Sequence, residues 1–212
     1  MKKMKVVAIL LAAGSSTRMG ENKLALPFNQ STIGATALKT TLRSKVDHVL
    51  VITKDQDNLH WLREDEDVLH GQGKWSKIEC KNASEGQAHS LLAGIVSAEA
   101  IDADAVIILL GDQPLVGVEM INRLIEIFQL TIAEQQEILF VASRFKGKEQ
   151  PPLLCAKSMF PMLKPLTGDM GARKIIRQLP KWLGKTVDYD DGRGFYDIDT
   201  KEDYQWVMKM ME

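Results

Sequence analysis

Two cations, Arg18 and Lys23, stand five residues apart in the stretch GSSTRMGENK, residues 14–23. Gly14 and Gly20 in the same stretch allow a backbone to approach an anion closely and to take positive φ. Ser15, Ser16 and Thr17 add hydroxyl donors. A loop of open amides with an arginine and a lysine suits a polyphosphate. Opposite charge comes from three distant aspartates. Asp112 follows an apolar run in LLGDQP, and Asp197 and Asp199 alternate in DIDT. If residues 195–198 are extended, those two carboxylates share a face. With Asp112 they would make a hard-oxygen site of the kind Mg²⁺ takes. Plainer uses exist for each. Asp112 is also a turn former, and either Asp197 or Asp199 could cap a helix starting near Lys201. Glu21 after Gly20 breaks the pattern GxxxxGK[ST], and GxGxxG is not met either. No Ser/His/Asp triad is legible.

The elements that must position these groups show in the apolar pattern. Val6–Leu11 and Ala105–Leu110 are unbroken apolar runs, as expected of strands covered on both faces. Residues 46–53, 77–80, 139–143 and 186–188 read as further strands. Ile33–Leu42 and residues 87–98, 120–132, 169–179 and 201–211 have helical spacing. Residues 55–67 are polar and read as a surface helix and loop. GKEQPP, residues 147–152, reads as a short functional loop. The alternation predicts an α/β fold: a three-layer α/β/α arrangement around a mostly parallel sheet, in one domain spanning 1–212. In such folds ligands bind at the carboxyl ends of the strands, where residues 14–23 and Asp112 fall.

Composition narrows the class. The chain has 212 residues, 45% hydrophobic and 26% charged, with a formal net charge of −1. That balance gives no global bias towards nucleic acid or a membrane surface. No apolar run approaches the ~18 residues of a transmembrane helix. The basic start, short apolar run and Ala12-Ala13-Gly14 nearly meet the pattern of a secretory leader. Cleavage there would discard the first strand, so a cytoplasmic location is expected. Cys80 and Cys155 lack CxxC spacing and read as buried, reduced thiols, with a single disulfide as the alternative. Ser84, three residues before Gln87, could cap the helix that follows. His89 reads as a packed or surface histidine. Met159, Met162, Met208, Met210 and Met211 read as core filler.

The stretch LAAGSSTRMGENKLALP closely resembles the signature L-A-A-G-x-S-x-R-M-G-x-x-K of the MobA-like nucleotidyltransferases. GQAHSLLAG, LLGDQP, GDMGAR and DIDTKEDY follow in the family's order, so the resemblance covers nearly the whole chain. It implies a Rossmann-like fold of the nucleotide-diphospho-sugar transferase type, with the nucleotide held mainly by residues 1–115 and the acceptor by 116–212. It implies nucleotide contacts at Leu11, Ala12, Ala13, Gly14, Ser15, Ser16, Gly20 and Lys23, and at Asn82, Gly86 and Ser90. Arg18, Lys23 and Asp112 would be catalytic. Asp112 would bind Mg²⁺ with Asp199 as the favoured second ligand, ahead of Asp197. Gln113, Asp169 and Arg173 would face the acceptor. LAAG with SLLAG resembles the cytidylyltransferase branch acting on the molybdenum cofactor, and STIGATAL the purine-catabolism branch. The implied partners are CTP, a molybdopterin-type acceptor and a molybdenum hydroxylase such as xanthine dehydrogenase. Cytidylyl transfer to a sugar or isoprenoid phosphate, or a non-catalytic cofactor carrier, are the alternatives. One departure stands out. The family usually has G-H-P where this chain has Gln150, Pro151 and Pro152.

Overall fold

The computed structural model describes residues 3–16, 18–62 and 73–210. Its centre is a seven-stranded sheet flanked by helices. In chain order, β1 (Val6–Leu11) leads through a small antiparallel pair, β2 (Pro27–Phe28) and β3 (Ser31–Thr32), into α1 (Ile33–Leu42). Then come β4 (His48–Lys54), β5 (Trp75–Cys80), α2 (Gln87–Ala100), β6 (Ala105–Leu110) and α3 (Val118–Ala133). The second part holds β7 (Phe140–Phe145), β8 (Lys148–Ala156), the short α4 (Phe160–Leu163) and α5 (Ala172–Ile176), β9 (Gly184–Tyr189) and α6 (Lys201–Lys209). The strand order is β5-β4-β1-β6-β8-β7-β9. All pairings are parallel except those made by β8, which runs against β6 and β7.

Two apolar layers sandwich the sheet. Val6, Ala8 and Leu10 point into one with Leu38, Ile121 and Phe128. Val7 and Ile9 point into the other with Leu91, Ile95, Phe160 and Ile176. Burial on both faces explains why β1 and β6 lack polar alternation. The chain steps outward from β1 to β4 and β5, then returns through α2 to β6 on the other side of β1. The strand order therefore reverses beside β1, where a crevice opens at the carboxyl ends. Main-chain bonds tie those ends together: Gly111 N–H donates to the Leu11 carbonyl at 2.9 Å, and Ala12 N–H to the Ile52 carbonyl at 2.8 Å.

Several expectations change. Residues 147–152 do not form a free loop: Lys148–Ala156 is strand β8, joined to β7 by a two-residue turn at Lys146 and Gly147, with φ of 47° and 73°. The prolines fit because the register shifts between Ala142 and Ser143, which pair with Leu153 and Gln150. Pro151 and Pro152 sit in that bulge, where no ladder donor is required. The helix expected over 169–179 is only Ala172–Ile176. Ser84 does not cap α2. It lies in a single 3₁₀ turn, Ala83–Glu85, and the N-cap is Gly86. Neither Asp197 nor Asp199 caps α6. Thr200 does, in a capping box with Asp203. Cys80 and Cys155 are buried and free. Met159 is core, Met162 is exposed, and Met211 lies outside the described residues, as do Thr17 and positions 63–67 of the polar segment. No helix among the described residues is long and apolar enough to cross a membrane.

Candidate active site

A cavity of about 600 Å³ opens at the carboxyl ends of β1 and β6. That is the size of a small-molecule site. On one side its wall is Leu11, Ala12, Ala13, Gly14 and Ser15, the exit of β1. Opposite it stand Asp112 and Gln113 after β6, and Asp197 and Asp199 before α6. Gly86 and Ser90 at the start of α2 close a third side, and Asp169 and Arg173 a fourth. Chain segments as far apart in sequence as Leu11 and Asp199 thus converge on one hollow, as strand-end geometry requires.

Lys23 is the electrostatic centre. Its residue is 7% exposed. Its Nζ lies 2.5 Å from Asp112 Oδ2 and 2.7 Å from Asp199 Oδ1. Arg18 Nη2 reaches the other Asp199 oxygen at 2.7 Å. Burial disfavours the charged ammonium, but Asp112 and then Asp199 outweigh it and hold the Lys23 pKa above its ordinary value. Burial would lift Asp199, yet Lys23 and Arg18 keep it below the usual carboxylate range. Asp197 behaves differently. Its surface is open to the cavity, but the crowding protein, and next the charge of Asp112, push its carboxyl up to about 6. It accepts a 2.8 Å bond from Gln113 Nε2, while the buried Oε1 of Gln113 has no partner.

The glycine-rich loop is held in place locally. Lys23 N–H donates to Ser16 Oγ at 3.2 Å, and Leu24 N–H to Asn22 Oδ1 at 3.1 Å. Gly20 has φ +76°, as expected of that residue. Gly14 does not share this conformation, and Ser16 takes φ 50° instead. Space at Gly14 is not tight either, since a Cβ there would lie 4.0 Å from the Lys23 stem, an ordinary contact. Ser16 and Gly20 face a second, shallower hollow with Lys54 and Asp57, which shares Ser15 with the main cavity. Asn82 lines neither hollow. Gln150, Pro151, Gln87 and Ser84 line the main cavity without having been singled out as contacts. Their signal in the sequence is weak, since placement depends on the β7–β8 turn and on α2's true start. His89 is 3.5 Å from Glu85 and outside the cavity.

Two carboxylate oxygens converging on one cationic point are hard donors of the type Mg²⁺ takes alongside water and phosphate oxygens. Among the described residues no group of three or more acidic, histidine or cysteine side chains is placed to hold an ion unaided. The protein would supply two ligands, Asp112 and Asp199, and a substrate the rest.

Comparison with known proteins identifies the family and the fold. A family model described as MobA-like NTP transferase domain matches residues 8–182. The purine catabolism protein PucB of Bacillus subtilis (strain 168) is 37% identical over 207 residues, covering 97% of each chain. Rv0371c of Mycobacterium tuberculosis H37Rv superposes with a TM-score of 0.76 at 20% identity over 99% of this chain and 100% of its own. Its manganese complex gives 0.68 at 18% identity over 97% and 99%. A nucleotidyl transferase from Methanothermobacter thermautotrophicus gives 0.72 at 21% identity over 97% of each.

Proposed function

The chain belongs to the family of MobA-like NTP transferase domains, and we propose that it transfers CMP from CTP to the phosphate of a molybdopterin-type acceptor, releasing diphosphate. The observation that carries this reading is the charge arrangement in the cavity: a buried lysine between two carboxylates, beneath a glycine loop. Similarity to a purine catabolism protein supports an acceptor destined for a molybdenum hydroxylase such as xanthine dehydrogenase. The proposed division of labour puts the nucleotide mainly on residues 1–115 and the acceptor mainly on 116–212.

An oxygen of the acceptor phosphate bonds to the α-phosphorus as the α–β bridging bond breaks, and diphosphate departs with that electron pair. The acceptor oxygen is already anionic near neutral pH, so no side chain has to remove a proton. Catalysis then rests on alignment and charge. Loop amides at Gly14 and Ser15 receive phosphate oxygens. Lys23 and Arg18 neutralise charge that builds on the α-phosphate and the leaving diphosphate. Leu11, Ala12, Ala13, Gly86 and Ser90 seat the nucleoside. Gln113, Asp169 and Arg173 face the acceptor, with Pro151 in place of the family's histidine and Gln150 beside it on the cavity wall. Asp112 and Asp199 would hold Mg²⁺, which supplies further charge neutralisation and orients the phosphate oxygens.

The test is incubation with Mg²⁺, α-labelled CTP and molybdopterin. Diphosphate should appear, with label on the acceptor. Tight binding of the cofactor with no diphosphate from any nucleotide would identify a carrier instead. Diphosphate only with sugar or isoprenoid phosphates would move the acceptor assignment and leave the transfer chemistry intact.

A further inference from the structure

The start of α2 and the loop before α5 touch backbone to backbone across the cavity. Gly86 is the α2 N-cap, with φ +126° and no side-chain cap. A Cβ at Gly86 would overlap the Gly168 carbonyl, and even the Gly168 Cα would lie only 2.7 Å away. Gly168 itself has φ +57°. Ala88 N–H donates to the Gly168 carbonyl at 2.9 Å. A third close approach lies beside these, where a Cβ at Gly171 would come within 3.0 Å of Gln87 Oε1. One of the four unpaired amides of the α2 N-terminus is therefore satisfied by the chain's own carbonyl.

This seam joins two halves of the fold. α2 packs on β1, β4 and β5, whereas α5 packs on β8. Asp169 follows Gly168 directly, Arg173 lies in the first turn of α5, and both face the cavity that Gly86 and Ser90 line from the other side. Close-packed backbone has no side chain to absorb a displacement, so movement on one side is passed to the other.

We infer that Gly86 and Gly168 are positioning residues: their contact sets the acceptor-side loop, 167–173, by the position of the nucleotide-side segment, so that nucleotide binding orders the acceptor subsite. This deepens the proposed transferase reading and rests on it. Only glycine serves at position 86, because φ +126° is strained for other residues and the space for a Cβ is already filled by the Gly168 backbone.

The experiment is amide hydrogen exchange with and without CTP and Mg²⁺, with CTP affinity measured by calorimetry. In the wild type, CTP should slow exchange across 167–174 by about tenfold or more, a local-opening change of the kind such exchange resolves. In Gly168→Val, where φ +57° is strained for a branched side chain, that slowing should vanish while CTP still binds. Slowing that persists in Gly168→Val would show the nucleotide acting on the loop directly and overturn the inference. So would CTP binding to the wild type with no slowing, an arm that does not depend on the variant folding. No CTP binding at all would overturn the transferase reading itself, and this inference with it.

Discussion

Lys23 carries two separable duties, one structural and one chemical, because its ammonium is buried between Asp112 and Asp199. Lys23→Met keeps the apolar stem and removes the charge. It should reduce turnover about 10²–10³-fold, by analogy with losing an oxyanion donor. Chemical denaturation should show a smaller penalty, about 1–3 kcal/mol, for Asp112 left without its cation, while Asp199 keeps its pair with Arg18. Asp112→Ala should abolish turnover while circular dichroism and the unfolding midpoint show a folded protein, since Asp112 borders the cavity and not the apolar layers. Normal turnover in that variant would remove the metal assignment. Asp197 gives a pH signature. Its carboxyl is raised above the ordinary 3.8 to about 6, so the folded metal-free protein holds a proton there that the unfolded chain releases. Stability from this group is present below about pH 4 and is lost as pH rises to about 6. Water at the open face of Asp197 screens the effect to less than about 1 kcal/mol. Urea titrations across pH 4–6 should show that slope in the wild type, and Asp197→Asn should flatten it.

The capping box of α6 is the element that aims Asp199. Asp203 accepts from Thr200 N–H at 2.8 Å and from Asp199 N–H at 3.1 Å, while Thr200 Oγ1 accepts from Asp203 N–H. Thr200→Ala should cost about 1 kcal/mol of stability, as lost caps do. It should also raise KM for the metal–nucleotide complex, because Asp203, whose carboxylate receives the Asp199 and Thr200 N–H groups, loses both of its bonds with the Thr200 hydroxyl. Elements of this kind differ in how openly the sequence announces them. β1, α1 and β6 are read correctly to the residue, since burial on two faces or an apolar stripe with a threonine cap leaves a plain pattern. β8 is hidden because its first half carries Lys148, Glu149, Gln150 and two prolines, and only the register shift opposite Ala142 and Ser143 makes room for them. α5 is overestimated because Leu179, which continues its apolar spacing, packs beneath it after the helix has ended. Arg18, Lys23, Asp112, Asp197 and Asp199 are legible through their residue types and flanking motifs. The meeting of Gly86 with Gly168 is not, since nothing local records a contact between residues so far apart.

On the scale of the whole molecule, two apolar layers cover the two faces of one sheet. Both cysteines lie in the same layer, Cys80 at the end of β5 and Cys155 in β8. Burial pushes the Cys155 thiol up to about 12, which leaves almost no thiolate at neutral pH. Titration with a thiol reagent should find Cys155 inert in the native protein and accessible only on global unfolding. Early reaction of Cys155 would mean that β8 opens independently of the sheet. The antiparallel course of β8 has one more effect. β1 and β6 reach the cavity with their final residues, Leu11 and Leu110, but β8 arrives with its opening ones, Gln150 and Pro151, because Leu153 pairs with Ile108 and the chain before it continues towards the rim. A surface turn of two residues therefore feeds directly into the proposed acceptor wall. Lengthening or recolouring that ribbon tip would retailor which molecule is accepted, while the triphosphate grip on the opposite bank stays untouched.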